Sequence, residues 1–224
     1  MRAPLPDDQL LGAIRSLVEQ NKLADGLVYL QVTRGAADRD FAYPADNVSP
    51  SLVMFTQAKN LLDSPIAKSG LKVVTLPDLR WQRRDIKTVQ LLYPSMAKME
   101  AKRRGADDAW LVEDDLITEG TSNNAYIVSA DGTIVTRGLS HSILSGITRA
   151  AILDVARETG MRLVERPFSI QEALAASEAF VTSASAFVLP VVQLDGQTIG
   201  SGAVGPVASR LREIYIGKCV KSAI

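Results

Sequence analysis

The feature that most constrains the fold is a set of short apolar segments in the middle of the chain. They cover residues 109–113, 125–129 and 133–136, and each has the length and composition of a β-strand. The last two are joined by Ala130-Asp131-Gly132, a typical tight-turn sequence. Helical patterns occur on both sides of this region, so helices interleave with strands, and some of the strands pair as hairpins. We therefore predict a mixed α/β or α+β fold.

The remaining segments predict two domains. The first, residues 1–62, contains a helix that Asp7 or Asp8 caps and that ends near Asn21, followed by strands at 27–33 and 51–56. Residues 57–70 have the character of a linker. The second domain, residues 63–224, begins with a strand at 71–76. Further strands are predicted at 162–165, 179–182 and 187–194, and helices from about Pro94, after Gly146, at 170–176 and at 204–216.

Composition excludes several classes of function. Lys+Arg and Asp+Glu balance at 25 each, so no overall field favours nucleic acid or an acidic membrane surface. No apolar run approaches the ~20 residues of a membrane span. The single cysteine, Cys219, fits a reducing cytoplasm, and the single histidine, His141, leaves little material for histidine catalysis or a metal site. We expect a cytoplasmic protein without a resident metal.

Two residues stand out as chemical candidates. Lys87 follows an apolar residue and two arginines, and burial together with adjacent cations would favour the neutral amine that attacks carbonyl compounds. A solvated surface lysine is the alternative. Glu119 lies in what reads as a turn of small and polar residues. It could hold a proton on a basic ring nitrogen, or it could satisfy backbone donors of the turn.

Other segments offer anion-binding groups. Gly146-Ile147-Thr148-Arg149 opens a helix, where backbone N–H groups and a hydroxyl can bind phosphate, although a plain helix start has the same pattern. Residues 182–185 form a hydroxyl-rich strand end, or merely a turn. Arg34 and Arg39 flank a polar loop in which a guanidinium could bind a carboxylate. The run 113–115 reads as a solvated turn.

Taken together, these fragments resemble the fold-type IV pyridoxal phosphate enzymes, and within them the D-amino-acid aminotransferase group. The resemblance covers essentially the whole chain. It is carried by Tyr29-Leu30-Gln31-Val32-Thr33-Arg34-Gly35, Asp85-Ile86-Lys87, Thr118-Glu119-Gly120, Gly146-Ile147-Thr148-Arg149 and Val181-Thr182-Ser183, which follow in the order and spacing of that family.

The resemblance implies a two-domain architecture, whose larger domain has a mixed, barrel-like sheet, and pyridoxal 5'-phosphate as cofactor. Lys87 would form the Schiff base and carry the proton between substrate and cofactor, and Glu119 would face the pyridine nitrogen. A homodimer acting on an amino acid and a 2-oxo acid is implied. The other residues implied to contact the cofactor are Leu144, Gly146, Ile147, Thr148, Ser183, Ala184, Arg80 and Asn124, and those implied to contact the substrate carboxylate are Arg39 and Phe41.

Some positions depart from the family pattern. Phe41 stands where some D-amino-acid aminotransferases have a carboxylate-binding histidine, and Ala184 stands where a phosphate-binding threonine is usual. A substantial family segment before Leu10, with a phosphate-binding arginine, is not matched, so we expect a shortened small domain. Loss of such an arginine contact would weaken cofactor binding by about 2–3 kcal/mol.

Alternative functions follow from the same resemblance. A branched-chain L-amino-acid aminotransferase or an aminodeoxychorismate lyase would share the chemistry of Lys87 and Glu119. A shortened homologue with weak activity or none is the non-enzymatic alternative. The loop that carries Arg34 and Arg39 favours the D-amino-acid group.

Overall fold

The chain forms two compact units in a computed structural model that describes residues 1–222. The first unit is Met1–Leu62 and the second is Asp63–Ile224. Among the described residues, no helix has both the length and the apolar character that crossing a membrane requires.

The first unit is a helix followed by a two-stranded antiparallel sheet. Its elements are α1 (Asp7–Gln20), β1 (Gly26–Thr33) and β2 (Ser51–Ala58). Tyr29 and Phe55 stack across the two strands with ring centroids 4.8 Å apart. Pro6, and not an aspartate, occupies the N-cap position of α1. Asp7 and Asp8 instead lie in the first turn, where their negative charge favours the positive end of the helix dipole.

The second unit is built on a nine-stranded mixed sheet. Its strands are β3 (Leu71–Pro77), β4 (Asp108–Glu113), β5 (Leu116–Gly120), β6 (Asn124–Val128), β7 (Ile134–Thr136), β8 (Leu163–Glu165), β9 (Glu178–Ser183), β10 (Phe187–Leu194) and β11 (Gln197–Thr198). The order is β5-β4-β3-β10-β9-β6-β7-β8, with β11 paired to β10. The helices are α2 (Pro65–Ser69), α3 (Leu92–Arg103), α4 (Ile147–Glu158), α5 (Ile170–Leu174) and α6 (Pro206–Lys221).

The sheet is curled, which is what positions the site. Strand β5 ends the sheet at one side, and four strands separate it from β6 in the pairing order. Nevertheless Gly120 N donates to Asn123 O at 2.8 Å in the short turn between β5 and β6, so these two strands lie close together. A flat sheet would keep them apart, since neighbouring strands are ≈ 4.7–4.9 Å from one another.

Apolar side chains fill both faces of the curled sheet. Inside, Trp110 of β4 contacts Phe168 edge to face, with ring centroids 6.1 Å apart, and both side chains are fully buried. Outside, α4 and α6 pack over β6, β9 and β10, with Ile152 and Leu211 at the centre of that cluster. Helix α3 covers β3 and β4. The side chains of β6 are therefore buried along its whole length.

Several boundaries differ from the prediction. Residues 118–120 were predicted as part of a turn, whereas they belong to strand β5. Asp114 and Asp115, both with positive φ, form the tight hairpin turn that precedes this strand. Residues 57–70 contain helix α2, with Pro65 at its start. Helix α3 begins at Leu92, so Pro94 lies in the first turn, where no N–H is needed. Helix α6 extends to Lys221.

The contact that fixes α6 on the sheet gives a stability prediction. The Glu178 carboxylate accepts from Val207 N and Ala208 N, both at 3.0 Å, and therefore satisfies two donors at the start of the helix. We expect Glu178→Ala to lower the free energy of unfolding by about 1–2 kcal/mol in urea denaturation. Glu178→Gln keeps one acceptor oxygen and is expected to lose less. Equal losses in the two variants would contradict this role.

Candidate active site

A cavity of about 900 Å³ opens in the second unit. It is lined by the loop after β3, the start of α3, the turn between β5 and β6, the start of α4, and the end of β9. These segments are distant in sequence, and they meet here because the curled sheet brings its strand ends together.

Glu119 lies at the buried end of strand β5 and borders the cavity. Its Oε1 accepts from Arg80 Nη1 at 2.6 Å, and its Oε2 accepts from Asn124 Nδ2 at 3.0 Å and from Leu144 N at 3.1 Å. The residue is only 4% exposed. Burial raises the pKa of Glu119 above its usual range, and the positive charge of Arg80 offsets that effect only in part. The prediction of a turn residue was wrong, because Glu119 is a buried strand residue.

A second carboxylate holds Arg80 in place. Arg80 Nε and Nη2 donate to Asp78 at 2.9 and 2.7 Å, and Thr118 Oγ1 donates to Asp78 Oδ2 at 2.7 Å. Burial by itself would raise the pKa of Asp78, but the hydrogen bonds and charge of Arg80, with those of its other partners, hold that pKa below its ordinary value. Arg84 adds a positive charge at 3.4 Å and is itself bound by both oxygens of Glu113.

Asn124 links Glu119 to the loop before α4. Its Nδ2 donates to Leu144 O as well as to Glu119, and its Oδ1 lies against Gly146. A Cβ at position 146 would come within 2.3 Å of that oxygen, so only glycine permits this approach. Asn124 therefore fixes both the carboxylate and the start of the helix.

The first turn of α4 supplies an anion-binding geometry. Gly146 is the N-cap, and Ile147 and Thr148 follow it on the cavity wall, where N–H groups of a helix start have no intrahelical acceptor. Thr148 is 2% exposed, and its Oγ1 has no hydrogen-bond partner of acceptable geometry in the part of the chain that the structure describes, although Tyr215 lies beside it. A buried hydroxyl without a partner is costly unless a ligand satisfies it.

The end of β9 borders the same cavity. Thr182 is buried and hydrogen-bonds the Tyr126 hydroxyl at 3.1 Å, while Ser183 and Ala184 follow at the cavity wall. Ala184 provides no side-chain donor, as the sequence already indicated.

Lys87 lines the cavity from the irregular loop after β3. The expectation that it is buried was wrong, because it is exposed, as are the residues on both sides of it. The two arginines that were expected to act on it are also engaged elsewhere. Arg83 pairs with Asp85 at 2.9 Å, and Arg84 pairs with Glu113 at 2.8 Å.

Arg39 and Phe41 belong to the first unit, in the loop between β1 and β2. The Arg39 guanidinium lies 5.5 Å from the Phe41 ring, and the Phe41 side chain is 94% exposed. Arg34 stacks over Tyr43 at 3.7 Å. Both arginines of this loop therefore rest on aromatic rings.

Sequence reasoning missed the residues behind Glu119. Asp78 is buried and accepts from Arg80, and Thr118 is buried and donates to Asp78, yet neither was assigned a role from the sequence. The available signal was Asp78 two residues before Arg80, directly after an apolar strand. His141 lies in an exposed loop, and residues 1–222 contain no cluster of metal-binding side chains.

The sequence matches the family model described as amino-transferase class IV over residues 1–194. It is 40% identical over 210 residues to the D-alanine aminotransferase of Bacillus licheniformis, and the match covers 91% of this chain and 71% of that protein. The D-alanine aminotransferase of Staphylococcus aureus (strain MSSA476) is 36% identical over 208 residues, with 92% of this chain and 72% of that protein covered.

Solved structures share the fold. A branched-chain amino acid aminotransferase from T.th., with pyridoxamine 5'-phosphate, has a TM-score of 0.86 at 26% identity, covering 100% of this chain and 74% of that chain. A putative 4-amino-4-deoxychorismate lyase from Legionella pneumophila has a TM-score of 0.84 at 20% identity, covering 96% and 78%, and shows the fold alone. The fold-type IV architecture expected from the sequence is confirmed, and the chain belongs to the class IV aminotransferases.

Proposed function

We propose that this enzyme uses pyridoxal 5'-phosphate to transfer the amino group of a D-amino acid, such as D-alanine, to a 2-oxo acid. The observation that carries the proposal is that an amine, a buried carboxylate and a helix N-terminus meet in one cavity. The D-alanine aminotransferases among its relatives support the choice of a D-amino acid. We further propose a homodimer in the cytoplasm, with residues 1–62 belonging to the small domain.

The residues of the cavity fit such a cofactor. The N–H groups of Ile147 and Thr148, and the Thr148 hydroxyl beside Tyr215, offer donors to a phosphate. Ser183 and Ala184 would border the same group, and Leu144 would pack on the ring. Glu119, held by Arg80 and Asn124, would face the ring nitrogen. The cofactor, when bound, supplies the electron sink that withdraws charge from the substrate.

Lys87 has the remaining role. Its amine is the nucleophile that would hold the cofactor, and once displaced by the substrate it would take the proton from the substrate Cα and deliver it to the C4′ carbon of the cofactor. Glu119 would keep the ring nitrogen protonated while this happens. Arg39 and Phe41 are proposed to contact the substrate α-carboxylate, on the strength of the family resemblance.

A branched-chain L-amino-acid aminotransferase is the second candidate. The observation that favours it is the TM-score of 0.86 to such an enzyme, although the sequence identity to the D-alanine aminotransferases is higher. The two functions would share Lys87 and Glu119, so the substrate decides between them.

The substrate preference is directly measurable. We expect D-alanine to convert the bound cofactor to its amino form, seen as loss of the visible absorbance band, about 10²-fold or more faster than L-leucine does. The reason is stereochemical. When the α-carboxylate is bound, only one enantiomer directs its Cα proton towards Lys87. Conversion by L-leucine alone would replace this proposal with the second candidate.

Lys87 is tested by substitution with alanine. We expect Lys87→Ala to abolish the absorbance band of lysine-bound cofactor and to lower transamination by at least about 10³-fold, because no other amine is proposed at this position. Lys102→Ala, on the exposed face of α3, is the matched control and is expected to change neither quantity. An unchanged band in Lys87→Ala would refute the assignment.

The Thr148 hydroxyl gives a test that separates cofactor binding from folding. Because the contact of this buried hydroxyl with Tyr215 lacks hydrogen-bond geometry, we expect Thr148→Val to leave the free energy of unfolding of the cofactor-free chain unchanged, or to raise it by up to about 1 kcal/mol. The same substitution is expected to weaken binding of pyridoxal phosphate about tenfold, as measured by equilibrium titration. Thr148→Ser retains the hydroxyl and serves as the control. Full affinity in Thr148→Val would contradict the phosphate role.

A further inference from the structure

Asp78 is a buried charged group to which the proposed chemistry assigns no role. It follows strand β3 directly, and its side chain has 0% exposure. Arg80, Thr118 and the nearby Arg84 surround it. A carboxylate is kept in such a place only when several donors compensate the loss of water.

The geometry of Asp78 limits what Arg80 can do. Asp78 takes two donors of the guanidinium, Nε and Nη2, in a bidentate contact. This contact fixes the orientation of the guanidinium, and in that orientation Nη1 donates to Glu119 Oε1 at 2.6 Å. A guanidinium without this restraint would bind Glu119 through two parallel hydrogen bonds, which is its preferred contact with a carboxylate.

Glu119 retains an acceptor position in this arrangement. Its Oε2 receives two donors, from Asn124 and Leu144, whereas the only donor to Oε1 among residues 1–222 is Arg80. Each carboxylate oxygen can accept about two hydrogen bonds, so Oε1 retains capacity for one more. Glu119 borders the cavity, where a ligand donor can use it.

We propose that Asp78 is a positioning residue that fixes the orientation of Arg80 and shares its charge, so that Glu119 receives one hydrogen bond from Arg80 and stays basic enough to accept from a protonated ring nitrogen. The identity of the ligand rests on the proposed function. The coupling between Asp78 and Glu119 does not, because it is a property of the chain without a ligand.

The charged groups around this pair act in opposite directions. Burial is the largest influence on the pKa of Glu119 and raises it. The charge of Arg80 lowers this pKa, and the charge of Asp78 raises it. The other titratable or charged groups that interact with Asp78 from neighbouring elements are Arg84, Arg137, Tyr93 and Glu113.

Asp78→Asn tests the coupling in the full chain without cofactor. The substitution removes the negative charge and releases Arg80 to bind Glu119 more completely, so the titration of Glu119 is expected to shift to lower pH. The measurement is the pH dependence of the Glu119 carboxyl signal by ¹³C NMR, assigned with Glu119→Gln. Asp195→Asn is the matched control, because Asp195 accepts from the backbone and hydroxyl of Thr75 without contacting Arg80.

An unchanged or upward titration of Glu119 in Asp78→Asn would overturn the proposal, as would the same shift in Asp195→Asn. If Asp78→Asn is too unstable to study, Asp78→Glu moves the carboxylate by one methylene and is expected to give a smaller shift in the same direction. No shift in Asp78→Glu would then overturn the proposal.

Titration with pyridoxal phosphate adds a second measurement. In Asp78→Asn the Kd for pyridoxal phosphate is expected to rise about tenfold, the effect of weakening one charge-assisted hydrogen bond. A chain that shows the Glu119 shift but binds no cofactor in its unaltered form would refute the proposed function and leave the coupling intact. A chain that binds cofactor without the Glu119 shift would refute the coupling alone.

Discussion

The ion pair between Arg80 and Glu119 is the contact on which the site depends. A carboxylate that is 4% exposed has lost most of its hydration, and this costs several kcal/mol unless charge and hydrogen bonds replace the water. Glu119 is compensated by one cation and two neutral donors. Burial therefore raises the pKa of Glu119 and makes it a stronger base than an exposed glutamate, in keeping with the role proposed for it beside a ring nitrogen.

The curled sheet is what makes this compensation possible. The cation comes from the loop after β3, the carboxylate from β5 and the amide from β6, so the donors and the acceptor lie on separate elements. The carboxylate and the amide lie on packed strands, and Asp78, directly after β3, holds the loop arginine with two hydrogen bonds. Gly146 completes the arrangement, because Asn124 can reach the start of α4 only where no Cβ intervenes. Sites held by rigid elements keep their geometry better than sites on loops.

Much of this could be read from the sequence, and the failures have physical causes. The sequence predicted the mixed fold, the hairpin at 130–132 and the helix at Gly146 because these follow from local patterns of polarity and turn residues. It did not predict strand β5, since a short strand after an acidic turn carries little apolar signal. Burial of Asp78 and Glu119 and exposure of Lys87 depend on how distant segments pack, which no local pattern encodes.

Asp78 also explains why the site contains more charge than its chemistry requires. One arginine would suffice to compensate Glu119, but a guanidinium free to turn would occupy the carboxylate with two hydrogen bonds and weaken it as a base. Asp78 prevents this by fixing the orientation of Arg80 through a bidentate contact, and it then needs Thr118 and Arg84 as further partners. Arg84 in turn is neutralised by Glu113 nearer the surface. The charges therefore alternate in sign from the buried Glu119 to Glu113, whose partly exposed carboxylate is hydrated by solvent.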